Sequence, residues 1–98
     1  AMYARVVRWE GAEAEAMKRT AEEISSEADS GPPEGVPAKG FLLLQDPQGG
    51  KAMAISFFES EDDYRQGDET LNSMEPPGEG LGSRVAVDKY DVALEFEA

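Results

Sequence analysis

The segment 51–60 constrains the fold more than any other part of this sequence. Its alternating side chains predict a β-strand, because successive residues of a strand point to opposite sides of the sheet. One side carries the large apolar residues Met53, Ile55 and Phe57, and the other carries Ala52, Ala54, Ser56 and Phe58. Both faces of such a strand must be covered, yet the rest of the chain predicts only two helices, enough for one face. We therefore expect a homodimer in which a second copy of the chain covers Met53, Ile55 and Phe57.

Leaving that face in water would be costly. Burying each of its three large side chains instead of leaving it exposed stabilises the fold by about 1.5–3 kcal/mol. A domain of this size has a net stability of only ~5–15 kcal/mol. The alternative to a second copy is a helix or loop of the same chain that folds over the face. Few connecting residues are left unassigned for that purpose.

Composition excludes several classes of partner and site. The 98 residues predict one domain, 2–98, with Ala1 set aside as a cloning remnant before Met2. A net charge of -12 repels phosphate backbones and anionic lipids, so we expect no nucleic acid and no membrane as partners. The chain has no Cys and no His, which excludes disulfides, thiolate nucleophiles, His-based triads and Cys- or His-ligated metals. Without a signal-peptide pattern or a long apolar run, we expect a cytoplasmic protein.

Four strands and two helices follow from local patterns. Strands are predicted near 2–10, 39–46, 51–59 and 83–96, and helices near 12–25 and 60–74. Gly11 ends the first strand, and the turn residues 46–50 predict an antiparallel hairpin between the second and third. Ser60 and Asp63 form a capping box at the start of the second helix. Pro-Pro loops are predicted after each helix, at 32–33 and 76–77.

This order of elements predicts an α+β fold. The succession β-α-β-β-α-β is the ferredoxin-like arrangement, a four-stranded antiparallel sheet with two helices on one face. In the first strand, Tyr3, Val7 and Trp9 share one side. In the second helix, the inward stripe is predicted to consist of Tyr64, Gly67, Leu71 and Met74.

Three stretches of the sequence resemble one known family. Residues 40–43, 46–51 and 57–61 are similar to the antibiotic biosynthesis monooxygenase (ABM-like) family, in which a strand with an aromatic-acidic-Ser ending leads directly into the second helix. The resemblance implies a dimeric α+β barrel with a pocket between sheet and helices in each subunit. It also implies cofactor-free oxygenation of an aromatic or polyketide-like molecule, so no cofactor is expected.

The chain departs from the family at its polar residues. The family's oxygenases carry an Asn-x-x-x-Trp run on the third strand, where this sequence has Ala54 and Phe58. Tyr64 matches a family Tyr early in the second helix and is the one candidate catalytic residue. Haem degradation, found in another branch, uses a His that this chain lacks.

The predicted ligand pocket is bounded by Trp9, Ala54, Phe58, Tyr64 and Arg84, with Tyr3 nearby. Tyr64 can donate a hydrogen bond to a carbonyl or phenol oxygen of a ligand. Arg5 and Arg84 lie within strands and need either a ligand anion or a carboxylate, for which Asp88 or a helix Glu is the default. The acidic residues Glu59, Glu61, Asp63 and Asp68 are interpreted as helix-start and surface residues, and no metal is expected.

Two functions of different class remain open at this point. One is an ABM-like oxygenase of a small aromatic molecule, and the other is a non-catalytic dimeric binding or accessory module. Ala54 and Phe58, in place of polar residues, favour the module. The small residues Ala52, Ala54 and Ser56 favour a cavity, which both functions require.

Overall fold

A computed structural model describes residues 2–74 and 80–98 of the chain. The elements follow in the order β1 (Tyr3–Glu10), α1 (Ala14–Ala28), β2 (Gly40–Asp46), β3 (Lys51–Phe58), α2 (Glu61–Ser73) and β4 (Ser83–Asp91). The strands form one sheet in the order β2-β3-β1-β4, and every neighbouring pair is antiparallel. The predicted α+β, ferredoxin-like fold is thereby confirmed.

Strand register assigns each side chain to one of two sheet faces. Tyr3 pairs with Phe58 and Val7 with Ala54, which places these residues on the same side. Both helices pack there, so we call this side the helix face. The opposite side, here called the open face, carries Val6, Arg8, Leu42, Leu44, Met53, Ile55, Phe57, Asp88 and Tyr90.

Each helix covers its own apolar cluster on the helix face. Beneath α1, Met17 and Ala52 are buried with Leu81, and Trp9 packs against them. The second cluster, beneath α2, contains Val36, Phe58 and Tyr64, with Tyr3, Ala38 and Leu71 packed around them. The core is therefore divided between the two ends of the sheet.

α2 begins as the sequence predicts. The Ser60 hydroxyl accepts a hydrogen bond from the Asp63 backbone N–H at 3.1 Å, which satisfies one of the free amides of the first turn. Within the helix, Tyr64 and Gly67 are buried and Leu71 is partly buried, but Met74 lies beyond the last turn and is exposed. Met74 is therefore not part of the inward stripe.

The bounds of α1 differ from the prediction for a specific reason. The backbone N–H groups of Gly11 and Ala12 both donate to the carbonyl of Gly50, so these residues are held against the β2–β3 turn and the helix starts at Ala14. At the other end the helix continues three residues beyond position 25, to Ala28. Gly31, with a φ of 90°, follows as the turn residue.

The last strand is shorter than predicted. β4 pairs only with β1, whose first residue Tyr3 lies opposite Asp91, and one further bond joins the Val92 N–H to the Met2 carbonyl. Beyond that point none of the strands in residues 2–74 and 80–98 lies beside the chain, so the predicted strand over 92–96 is wrong. Leu94 and Phe96 are 86% and 84% exposed. Ala1 and the predicted Pro-Pro loop at 76–77 lie outside the described residues.

Candidate functional site

Phe58 and Tyr64 meet at the junction of β3 and α2. Phe58 is 0% exposed and Tyr64 is 9% exposed, and their rings pack edge to face with centroids 5.6 Å apart. Gly67, one turn along α2, lets the helix approach so closely that a Cβ there would overlap the Phe58 ring. The space beside Phe58 is thus occupied by Tyr64 and the α2 backbone.

The Lys89 side chain extends from β4 over the rings of Tyr3 and Tyr64. Its Nζ lies 5.0 Å from the centre of the Tyr3 ring and 5.2 Å from that of Tyr64, within cation–π range. The same ammonium pairs with the Glu61 carboxylate at 2.7 Å. That hydrogen bond lowers the pKa of Glu61 and raises the pKa of Lys89. Both groups are therefore charged at neutral pH.

Burial raises the pKa of the Tyr64 phenol, and the negative charge of Asp68 adds to this effect. The raised pKa means that Tyr64 is protonated at neutral pH and can act as a hydrogen-bond donor. It is a poor general base under those conditions.

The alkaline titration of Tyr64 is therefore linked to stability. A phenol with a raised pKa binds its proton more tightly in the folded than in the unfolded chain. This tighter proton binding contributes to the free energy of unfolding. The contribution is complete below the ordinary tyrosine pKa of about 10 and is lost as the pH rises through the pKa of Tyr64 in the folded chain. We expect Tyr64→Phe to reduce the tyrosinate absorbance at 295 nm most strongly at the alkaline end of the titration. The same variant should lose less stability than the wild type as the pH rises above 10. A Tyr64→Phe titration curve that is unchanged at its alkaline end would contradict the assignment.

Arg5 is buried in the centre of the site. Its residue is 5% exposed, and its Nε donates to Asp68 Oδ1 at 2.8 Å while Nη2 donates to Asn72 Oδ1 at 2.9 Å. Arg84 donates to the same Asn72 oxygen at 2.8 Å. The expectation that Asp88 or a helix Glu satisfies these arginines is wrong. Asp88 points to the open face, and the partners come from α2.

A β-bulge places Arg84 in this network. The register of β4 against β1 shifts between Arg8 and Trp9, so that Arg8 pairs with Ala86 and Trp9 with Arg84. Val85 is left unpaired, and Arg84 shares the helix face with Trp9. A regular register would have put Val85 there. Two guanidinium groups thus converge on one amide oxygen, and Asp68 is the single carboxylate that contacts them among the described residues.

The five predicted pocket residues share the helix face but occupy different parts of it. Phe58 and Tyr64 belong to the cluster beneath α2, whereas Trp9 belongs to the one beneath α1. Ala54 is buried between them, opposite Val7. Arg84 lies at the end of α2, beside Asn72. A ligand pocket bounded by all five residues stays a prediction.

A concavity of about 340 Å³ lies at a different place, which no motif in the sequence indicates. It opens near the β2–β3 turn, where β1, β2 and β3 end together. Its lining is Arg8, Trp9, Glu10, Leu44, Gln45, Asp46, Lys51, Ala52 and Met53. Most of these residues belong to the open face or its rim.

The acidic residues near α2 have structural partners. Glu61 pairs with Lys89, Asp62 with Arg65 and Asp68 with Arg5. Within residues 2–74 and 80–98, no three acidic side chains are grouped so as to hold a metal ion. Neither of the two described helices is long and apolar enough to cross a membrane.

Comparison with known proteins supports the fold and leaves the chemistry open. The sequence matches no family model and no curated protein. Among solved structures, the chain resembles a candidate antibiotic biosynthesis monooxygenase from Chloroflexus aurantiacus J-10-fl. The TM-score is 0.55 at 10% identity, and the match covers 99% of this chain and 98% of the other. The described residues therefore share the ferredoxin-like fold of that ABM-type protein.

Proposed function

We propose that this protein is an ABM-like homodimer that binds a small aromatic or polyketide-like molecule between the sheet and the helices. The observation that carries the proposal is the fold likeness to a candidate antibiotic biosynthesis monooxygenase, which extends over nearly all of both chains. The reaction proposed for the bound molecule is oxygenation by O₂ without a cofactor.

The chemistry of the helix face suits an aromatic ligand with an oxygen substituent. Three small side chains, Ala52, Ala54 and Ser56, alternate along β3 on the helix face and occupy little volume there themselves. Tyr64 supplies a protonated phenol at one end of this row. Arg84 supplies a cationic donor at the α2 side. Because Ala54 and Ser56 are covered in the free protein, binding requires neighbouring side chains to move apart.

The homodimer is proposed to form through the open face. Leu42 and Leu44 are each 48% exposed and Tyr90 is 55% exposed, and Met53, Ile55 and Phe57 lie half-buried among them. An exposed apolar face of this kind is typical of an interaction surface. Two such faces packed together would bury more than ~1,200 Å² in total, the size expected of a stable dimer.

Binding can be tested with dithranol, an anthrone that O₂ converts to the corresponding anthraquinone and water. Dithranol should quench the fluorescence of Trp9, the one tryptophan in the sequence, in a saturable manner. Oxygenase activity would appear as quinone formation faster than in the protein-free control. Saturable quenching without turnover would favour the non-catalytic binding module. That outcome would agree with Ala54 and Phe58 at positions where the family's oxygenases carry Asn and Trp.

Tyr64→Phe tests the proposed polar contact. Loss of one neutral hydrogen bond should weaken dithranol binding by about 2- to 12-fold, corresponding to ~0.5–1.5 kcal/mol. Ser26→Ala is the control, because it removes a hydroxyl from the exposed surface of α1, away from Tyr64 and from the open face. Equal affinities of the two variants would remove Tyr64 from the site. Absence of saturable quenching in the wild type would overturn the binding proposal itself.

A further inference from the structure

Two charged side chains stand apart on the open face. Arg8 lies on β1, and Asp88 lies on the adjacent strand β4. The two residues are diagonal neighbours, because Arg8 lies opposite Ala86 and Asp88 lies opposite Val6. Neither forms an ion pair with any residue in the described ranges 2–74 and 80–98. The other charged residues of this face, Glu10, Asp46 and Lys51, lie at its rim near the β2–β3 turn, where Asp46 and Lys51 pair at 3.8 Å.

We propose that Arg8 of each copy pairs with Asp88 of the other in the homodimer, forming two symmetric ion pairs that fix its geometry. The inference rests on the dimer proposed above, in which both residues become enclosed by apolar surface. A charge enclosed in that way requires a partner of opposite sign. In a two-fold dimer the pairing is reciprocal, so the same contact occurs twice and all four charges have a partner.

The strand register allows this pairing together with apolar packing. When two sheets stack face to face, their two-fold axis lies in the plane of the interface. Seen from above that plane, each residue lies opposite the residue of the other copy whose position is its reflection across the axis. The axis that exchanges these two positions crosses the line between Arg8 and Asp88 at its midpoint and at a right angle. Positions on the sheet follow from a strand spacing of about 4.8 Å and a rise of about 3.4 Å per residue. Ile55 then lies next to Ile55 of the second copy, and Phe57 lies opposite Leu42 of the second copy. The two-fold axis that brings Arg8 of one copy to Asp88 of the other therefore also brings the large apolar residues of the two copies together.

Charge reversal separates this pairing from general apolar association. Arg8→Asp should place two carboxylates at each contact, and Asp88→Arg should place two guanidinium groups there. Each variant alone should raise the dimer dissociation constant by at least about 100-fold in sedimentation velocity, since like charges across an interface oppose association strongly. Circular dichroism should show both variants folded.

Mixing the two variants is the discriminating measurement. A heterodimer of Arg8→Asp with Asp88→Arg has opposite charges at both contacts, so equimolar mixing should restore the dimer to within about 10-fold of the wild-type affinity. A pair formed within one chain would not respond to mixing. Single variants that dimerise like the wild type, or a mixture that stays monomeric, would overturn the ion pairs while leaving a wild-type dimer intact. A monomeric wild type at micromolar concentration would overturn the ion pairs and the dimer together.

Discussion

Replacing Ile55 with Asp is expected to convert the proposed homodimer into a monomer at micromolar concentration. Ile55 lies on the central strand β3, half-buried among the exposed apolar residues of the open face. In the dimer the substitution would enclose one unpaired carboxylate per subunit, and each would cost several kcal/mol after relaxation. Since a factor of ten in affinity corresponds to 1.4 kcal/mol, the dissociation constant should rise by at least about 1,000-fold. Sedimentation velocity across a dilution series measures the change directly.

The control for this prediction is Ser26→Asp. Ser26 is exposed on α1, on the side of the sheet away from the open face, and its substitution adds the same negative charge to a chain that already carries -12. We expect Ser26→Asp to remain dimeric. If Ile55→Asp sediments as a dimer, the interface lies elsewhere on the molecule.

Phe58→Ala is expected to give the largest loss of stability in the subunit itself. Phe58 is completely buried between β3 and α2, where it contacts Tyr64 and lies against Gly67. Truncation of a buried Phe costs about 3–5 kcal/mol, a large part of the ~5–15 kcal/mol that stabilises a domain. Urea unfolding monitored by circular dichroism should show the midpoint falling accordingly.

A second substitution at Gly67 identifies the cause of that loss. In the wild type, Gly67→Ala should destabilise the protein, because the new methyl group overlaps the Phe58 ring, which has no free space around it. In the Phe58→Ala background the same change should stabilise, since the overlap is gone and Ala is favoured over Gly in a helix by about 1 kcal/mol. An effect of the same sign in both backgrounds would show that α2 does not pack on Phe58 as described.

The sequence predicts those elements whose cause is local. Strand alternation in 51–58, the turn that joins β2 to β3 and the Ser60 cap depend on residues that are adjacent in the chain, and the structure contains all three. The strand predicted over 92–96 failed for the opposite reason. A strand requires a neighbour, and the length of β4 is set by the first residue of β1, more than 80 positions earlier.

The candidate site was predicted less completely than the fold. Burial of Phe58 and Tyr64 follows from their positions on a strand face and a helix stripe. The partners of Arg5 do not follow from any local pattern, because Asp68 and Asn72 are brought to it by the packing of α2 across β1. The bulge at Val85, which turns Arg84 toward Asn72, leaves no sequence signal of the Gly type that commonly marks such irregularities.

The central position of β1 has a consequence for the order of folding. β1 lies between β3 and β4 in the sheet, although both of these neighbours follow it by more than 40 residues in the chain. The partners of its buried Arg5 are 63 and 67 residues away. Such long-range contacts require large loops to close before any stabilising contact forms, which slows folding. β1 therefore stays unpaired until β3 has been made, and its second edge is paired only when β4, in the last third of the sequence, is present.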